Sequence, residues 1–167
     1  MTHRPYIAVV GAAEASEKEL SLAERVGDEL ARRGAVLVCG GRTGVMEAAA
    51  RGAARRGGLI VGILPGETRA EGNPYLTVAV ATGMGSARNA VIVKTADAVI
   101  AVGGGYGTLS EIGLALNVGR PVVGLETWRV ERAGRPGPDP GVRVASSPEE
   151  AVSLALRLAG SPGSPCR

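Results

Sequence analysis

The chain has 167 residues, a formal net charge of +3, and 45% hydrophobic but only 2% aromatic content. That length fits one domain with a full core, and so small a charge, with no basic stripe carrying interleaved aromatics, argues against nucleic acid as a partner. His3 is the sole histidine and lies in the N-terminal tail, which argues against a Ser-His-Asp triad, a Cys-His pair and a His-rich metal site.

With no Phe, one Trp and three Tyr, the core must be built from Val, Leu, Ile and Ala. The two cysteines, Cys39 and Cys166, fall at a predicted strand end and in the tail, which suits a reducing compartment and not a disulfide framework. No apolar run approaches the length of a membrane span. Gly11 and Glu14 interrupt the first apolar run, so it reads as a strand and not as a signal peptide. The expected location is the cytoplasm.

Residues 6–10 are a short apolar run closed by Gly11, the first predicted strand. Ser16-Glu17-Lys18-Glu19 is a capping box that opens a helix. On that helix Leu22, Val26 and Leu30 recur at intervals of four and give one buried face. Gly34 ends it. Residues 35–39 predict a second strand, stopped by Gly40-Gly41, and a helix then runs to about residue 56 before Gly57-Gly58. Strands follow at 59–64 and 76–81, separated by a polar loop, and a helix over 86–95 carries Arg88, Asn89 and Lys94. Residues 98–102 are a fifth strand, which passes through a glycine cluster into a helix reaching 118. A sixth strand spans 122–125, an exposed loop 126–141, and a short seventh strand 142–145. Ser147-Pro148-Glu149-Glu150 opens a last helix with Pro at its first position. The domain is expected to span 1–160, with a frayed tail over 161–167.

Strand and helix alternate throughout, and the strands are apolar without polar alternation, as when both faces are covered. The pattern predicts an α/β fold: a single-domain, Rossmann-like, doubly wound parallel sheet of six or seven strands with helices on both faces. Ligands in such sheets bind beyond the carboxyl ends of the strands.

Two strand-to-helix junctions fall at those ends. Residues 103–108 (Gly103, Gly104, Gly105, Tyr106, Gly107, Thr108) end an apolar strand and lead to Glu111 one turn on. Glycines at such a junction bare the backbone N–H groups that hold phosphate. The segment is neither a Gly-x-Gly-x-x-Gly fingerprint nor a P-loop. It reads either as a phosphate cradle or as a turn that simply needs glycine, and its four glycines, with Thr108 and Glu111, favour the cradle. Gly40, Gly41, Thr43 and Gly44 form the second junction, weak alone and weightier as a pair with the first. Arg88 reads either as a solvated arginine or as a guanidinium fork gripping a phosphate or holding Glu111. Tyr106 stacks on a ring or merely shields the loop. Arg51, Arg55 and Arg56 suit the end of their helix and carry no assigned function. Met84 is expected to fill a gap.

Gly40-Gly41-Arg42-Thr43-Gly44-Val45-Met46 and Gly104-Gly105-Tyr106-Gly107-Thr108-Leu109-Ser110-Glu111 together resemble the LOG family, long labelled "possible lysine decarboxylases". The resemblance covers about residues 6–125. Relatives of this family include phosphoribohydrolases that cleave cytokinin riboside 5′-monophosphates, or AMP, to free base and ribose 5-phosphate. The resemblance places their catalytic pair on Arg88 and Glu111. It extends to a smaller bacterial branch that looks like the molybdenum cofactor carrier protein, and it implies a homodimer with the cleft near the subunit boundary. The enzymes carry Pro-Gly-Gly where this chain has Val102-Gly103-Gly104-Gly105, and Arg-Lys where it has Arg88-Asn89. The missing lysine removes a positive charge and tilts the chain towards the carrier-like branch. The decarboxylase label does not fit. A pyridoxal phosphate enzyme needs a Schiff-base lysine, and the only lysines, Lys18 and Lys94, lie on helices expected away from the glycine loops.

The expected partner is therefore a phosphorylated small molecule, with no resident cofactor and no metal. Two readings stay open: an N-glycosidase acting on a nucleoside 5′-monophosphate, or a carrier that holds a phosphorylated cofactor without turnover. A DNA-processing relative with a similar sheet is the weaker third.

Overall fold

The computed structural model describes residues 4–160, so His3, Cys166 and the tail over 161–167 lie outside the described residues. Its frame is a sheet of seven strands: β1 (Tyr6–Gly11), β2 (Val36–Cys39), β3 (Leu59–Leu64), β4 (Val78–Ala81), β5 (Ala98–Val102), β6 (Val122–Leu125) and β7 (Val142–Val144). All pairings are parallel, in the order β4-β3-β2-β1-β5-β6-β7. The helices are α1 (Glu17–Arg32), α2 (Val45–Arg55), α3 (Asn89–Thr95), α4 (Tyr106–Asn117) and α5 (Pro148–Ala159).

Parallel neighbours need a crossover, and each crossover helix must bury an apolar stripe on the sheet. One face takes α1, α2 and α5 through Val26, Leu30, Ala49 and Val152. The other takes α3 and α4 through Ile92, Val93, Ile112 and Ala115. Central strands β2, β5 and β6 are buried throughout, as their unbroken apolar sequence requires.

The edges depart from that expectation. In β4 exposed and half-buried residues alternate, and Val78 and Val80 are exposed. Two residues of β7 are exposed as well. An edge strand has a neighbour on one side only, and no helix reaches far enough to cover both of its faces. The helix expected over 86–95 also divides. A 3-10 turn, Gly85–Arg88, leads directly into the seven-residue α3. That tight turn directs Arg88 inward, where it is buried.

From β1 the chain winds outward through β2 and β3 to β4, then returns to place β5 on the other side of β1. Neighbouring strands whose crossovers depart in opposite directions leave a crevice at their carboxyl ends. Here it opens above Gly11 and Val102, which are partners in the β1–β5 ladder.

Candidate functional site

On the β5 side of the crevice, Gly103 and Gly104 take left-handed conformations, φ 52° and 96°, which favour glycine. Their amides are not open. Gly103 N–H donates to the Leu125 carbonyl at 3.1 Å, and Gly104 N–H donates to Glu19 Oε1 at 3.1 Å. A Cβ on Gly103 would strike the Glu19 carboxylate, and one on Gly104 would strike the Thr108 side chain. Part of the glycine cluster is thus explained by close packing. Glu19 Oε2 also accepts the Ser16 amide and hydroxyl, each at 2.8 Å, completing the capping box. The Ser16 and Gly104 hydrogen bonds hold the Glu19 carboxyl below its ordinary range.

Open amides begin one step later. The first intrahelical bond of α4 runs from Leu109 N–H to the Gly105 carbonyl. The N–H groups of Tyr106, Gly107 and Thr108 lie ahead of it and have no carbonyl within the helix to meet. They carry the positive end of the helix dipole. Thr108 itself is 2% exposed, tucked beneath Gly104.

The polar centre lies towards β2. Arg88 is 9% exposed and Glu111 is 7% exposed, two of the four buried polar or charged side chains among the described residues. Arg88 packs its guanidinium over Gly40, where a Cβ would collide with Nη1 and with the Met46 sulfur. Its Nε is fully buried and meets no acceptor. Glu111 faces Arg88 electrostatically, but no ion pair within 4.0 Å joins them. Burial pushes the Glu111 carboxyl up to about 7, against the pull of Arg88. Burial also makes Arg88 easier to deprotonate, with Glu111 opposing. Cys39, the last residue of β2, is buried and its thiol is pushed up to about 11 by desolvation, so it is no nucleophile. Arg88 and Glu111 are thus two buried charged groups that act on each other electrostatically, one with an unpaired Nε and the other with a carboxyl that titrates near neutrality.

The β2–α2 junction is folded onto the β1–α1 turn. Thr43 Oγ1 donates to the Ala13 carbonyl at 3.3 Å, and Val45 N–H to the Ala12 carbonyl at 3.0 Å. Gly44, with φ 69°, lies so close that a Cβ would meet Ala12 and Ala13 oxygens. Gly41 takes φ 74° against Leu64 and Leu76. The two glycine junctions sit at β2 and β5, on either side of β1, and Arg88 with Glu111 bridges the gap.

Several residues at the crevice gave no sequence signal of a site. Glu19 reads as a cap. Thr127 and Trp128 lie in the segment expected to be an exposed loop, yet the Thr127 hydroxyl donates to the Gly103 carbonyl and Trp128 Nε1 donates to the Gly105 carbonyl at 3.1 Å. Tyr106, 82% exposed, meets Trp128 with ring centroids 5.6 Å apart. Among the described residues, Glu126 is the non-glycine residue with positive φ, 52°. Lys18 is not remote from the glycine loops: its Nζ pairs with Glu126 Oε1 at 2.7 Å, at the rim of a 410 Å³ hollow floored by Gly103 and Gly104. Met84 is exposed and fills no gap.

A larger hollow of 610 Å³ lies between α1 and α2. Most of its charges are already paired: Arg51 and Arg55 with Glu24, and Arg25 with Glu149. Size alone does not locate the site. No group of three or more His, Cys, Asp or Glu able to hold a metal gathers among the described residues. No helix among them is long and apolar enough to cross a membrane.

An open, fully parallel α/β sheet with helices on both faces and glycine-rich turns at its switch point defines the Rossmann-like class of fold. Within it, the SLOG cluster4 family matches residues 4–152, and the chain belongs to that family. It is 45% identical over 150 residues to an uncharacterised protein of Archaeoglobus fulgidus, covering 90% of this chain and 93% of the relative. The molybdenum cofactor binding protein of the phototrophic bacterium Rippkaea orientalis superposes with a TM-score of 0.84 at 35% identity, over 95% of this chain and 99% of that one. The molybdenum cofactor carrier protein of Chlamydomonas reinhardtii gives 0.80 at 31% identity, over 95% and 100%. The resemblance carried by the two glycine motifs therefore extends over nearly the whole fold.

Proposed function

We propose that this chain is a cytoplasmic carrier that holds a phosphorylated, cofactor-like small molecule in the β1–β5 crevice. The observation that carries the reading is Arg88, a buried guanidinium whose Nε has no acceptor. A buried donor left unpaired costs roughly 1–3 kcal/mol, more when charged, and an anion at this point removes that cost. The open amides of Tyr106, Gly107 and Thr108 supply a second set of donors from α4. Near-complete overlap with two proteins described as binding or carrying the molybdenum cofactor supports cargo of that chemistry. Molybdenum would then arrive as cargo within the bound molecule and not as a resident metal. A homodimer with the crevice near the subunit boundary is part of this reading. The test is native mass spectrometry of protein purified from its source, with a thermal-shift screen of phosphorylated compounds and their dephosphorylated counterparts. A phosphate-bearing ligand should co-purify, and only phosphorylated compounds should raise the melting temperature. A protein that neither carries nor responds to any of them rules the reading out.

A second reading is favoured by Glu111, whose carboxyl is pushed up to about 7 by burial. A general base works best with a pKa near the operating pH. Glu111 would take a proton from water as the water oxygen bonds to the anomeric carbon of a nucleoside 5′-monophosphate. The C–N glycosidic bond breaks, its electron pair leaves with the base, and the base acquires a proton. General base catalysis is worth about 10²–10⁴, so anchoring of the phosphate must supply the rest through positioning. Release of free adenine from AMP, abolished in Glu111→Gln with binding retained, supports this reading. No base released from a panel of monophosphates leaves the carrier.

A further inference from the structure

The segment that follows β6 is held in a conformation its own residues do not favour. Glu126 takes the left-handed region, φ 52°, without being glycine. Such a placement costs energy and persists only where surrounding contacts enforce it. Its two successors make those contacts. The Thr127 hydroxyl donates to the Gly103 carbonyl, and Trp128 Nε1 donates to the Gly105 carbonyl at 3.1 Å. Gly124 leaves the room this needs, since a Cβ there would lie 2.9 Å from the Thr127 methyl. Lys18, the neighbour of Glu19 in α1, pairs with Glu126 itself. The Gly103–Gly104 peptide is therefore held at both ends, its carbonyl by Thr127 and its N–H by Glu19. A peptide unit is planar and trans, so its C=O and N–H point in opposite directions. Holding the Gly105 carbonyl on the Trp128 indole thus sets the direction of the Tyr106 N–H, the first of the open amides. The same carbonyl accepts the Leu109 N–H at 3.0 Å, and the indole adds a second constraint from outside the helix.

We propose that Thr127 and Trp128 are positioning residues: from outside both glycine motifs they fix the peptide planes of the β5–α4 loop and keep the Tyr106 amide set for its ligand. The inference rests on the phosphate-binding reading above and adds to it the residues that set the geometry. A loop that must be ordered at the moment of binding lowers affinity, because part of the interaction energy is spent on ordering it. Losing either contact therefore reads as weaker binding by a protein that is still folded. The Trp128 ring, 5.6 Å from that of Tyr106 between centroids, ties the side chain of the same residue whose amide is being set.

Titration calorimetry with inorganic phosphate and AMP tests this on wild type, Thr127→Val, Thr127→Ser and Trp128→Phe. Thr127→Val keeps the side-chain shape and loses the donor, and Thr127→Ser keeps the donor. Trp128→Phe keeps a ring beside Tyr106 and loses the N–H. Thr127→Val and Trp128→Phe should each weaken both ligands about two- to tenfold, the size expected for one hydrogen bond. Thr127→Ser should bind like wild type. Exchange of the Gly104 amide, which keeps its Glu19 acceptor in every variant, gauges the order of the loop. It should quicken in Thr127→Val and Trp128→Phe and stay slow in Thr127→Ser. A lower melting temperature with unchanged affinity in Thr127→Val and Trp128→Phe would make the two residues structural only and overturn the proposal. Binding as weak in Thr127→Ser as in Thr127→Val would overturn it too, since the hydroxyl would not be the cause. Both of those outcomes leave the phosphate site standing. If wild type binds neither phosphate nor AMP, the underlying reading fails and takes the positioning role with it.

Discussion

The Glu19 carboxylate accepts the Gly104 amide hydrogen at 3.1 Å, tying the first turn of α1 to the β5–α4 loop across the crevice. One side chain therefore caps a helix and holds the glycine loop in place. Glu19→Ala removes both functions. The Ser16 hydroxyl still accepts the amide of residue 19 in the variant, so only the carboxylate's bonds to Ser16 and Gly104 are lost, and the melting temperature should fall modestly. Amide exchange at Gly104 should be slow in wild type, where the carboxylate accepts this N–H, and fast in the variant. Because the Glu19 carboxyl lies below its ordinary 4.5, its contribution is present above that pH and is lost on acidification. If Gly104 stays protected in the variant, Glu19 is not what holds the loop.

Gly40→Ala should separate binding from stability. Its new methyl would meet the end of the Arg88 side chain and the Met46 sulfur, not backbone. Flexible side-chain ends move at little cost, so the melting temperature should change modestly. Displacing Arg88 should weaken binding of phosphorylated compounds at least as much as Arg88→Ala does. Unchanged affinity in Gly40→Ala would mean that the Arg88 position seen here is not the binding one.

Glu111 gives the fold a definite pH signature. Its folded pKa of about 7 lies above the ordinary 4.5, so the folded state binds more protons than the unfolded state between these values. Stability from this group is full below pH 4.5 and falls as pH rises through about 7, by an amount on the order of 3 kcal/mol. Glu111→Gln should remove that fall. Sulfate, whose charge is constant over this range, should bind wild type less tightly above neutrality as Glu111 ionises, and the variant evenly. Urea unfolding at pH 5 and pH 8 reads the first effect, and calorimetry reads the second.

Arg88→Met should stabilise the free protein. The variant removes a buried charge with an unpaired Nε and keeps an unbranched apolar chain of similar reach. The melting temperature should rise or hold while response to phosphorylated ligands disappears, as at sites where function is kept at the expense of stability. A large fall in melting temperature would show that Arg88 is structural.

Much of the fold was legible because its signals are local. The capping box at Ser16–Glu19 and the Ser147-Pro148 helix start act within one turn, and both form as their sequence requires. The apolar runs that became β3 and β6 match their predicted limits, since a strand buried on both faces has one simple pattern. The edge strands β4 and β7 were misjudged in burial because exposure depends on neighbours that sequence does not name. The Lys18–Glu126 pair and the Trp128–Tyr106 contact join segments far apart in the chain, and no periodicity announces such meetings.

The sequence by itself determined that glycine-rich turns end two apolar strands, that Glu111 follows one of them by a helical turn, and that no histidine stands among the described residues. Tertiary structure alone decided which of those glycine amides are free. The sheet order brings Leu125 and Glu19 onto Gly103 and Gly104, and moves the open donors to Tyr106, Gly107 and Thr108. It also decided that Arg88 and Glu111 are both buried and close enough to act on each other electrostatically. The physical reason is that hydrogen-bond satisfaction and desolvation depend on which groups the fold places within a few ångströms, a property of the packed molecule and not of residue type or spacing.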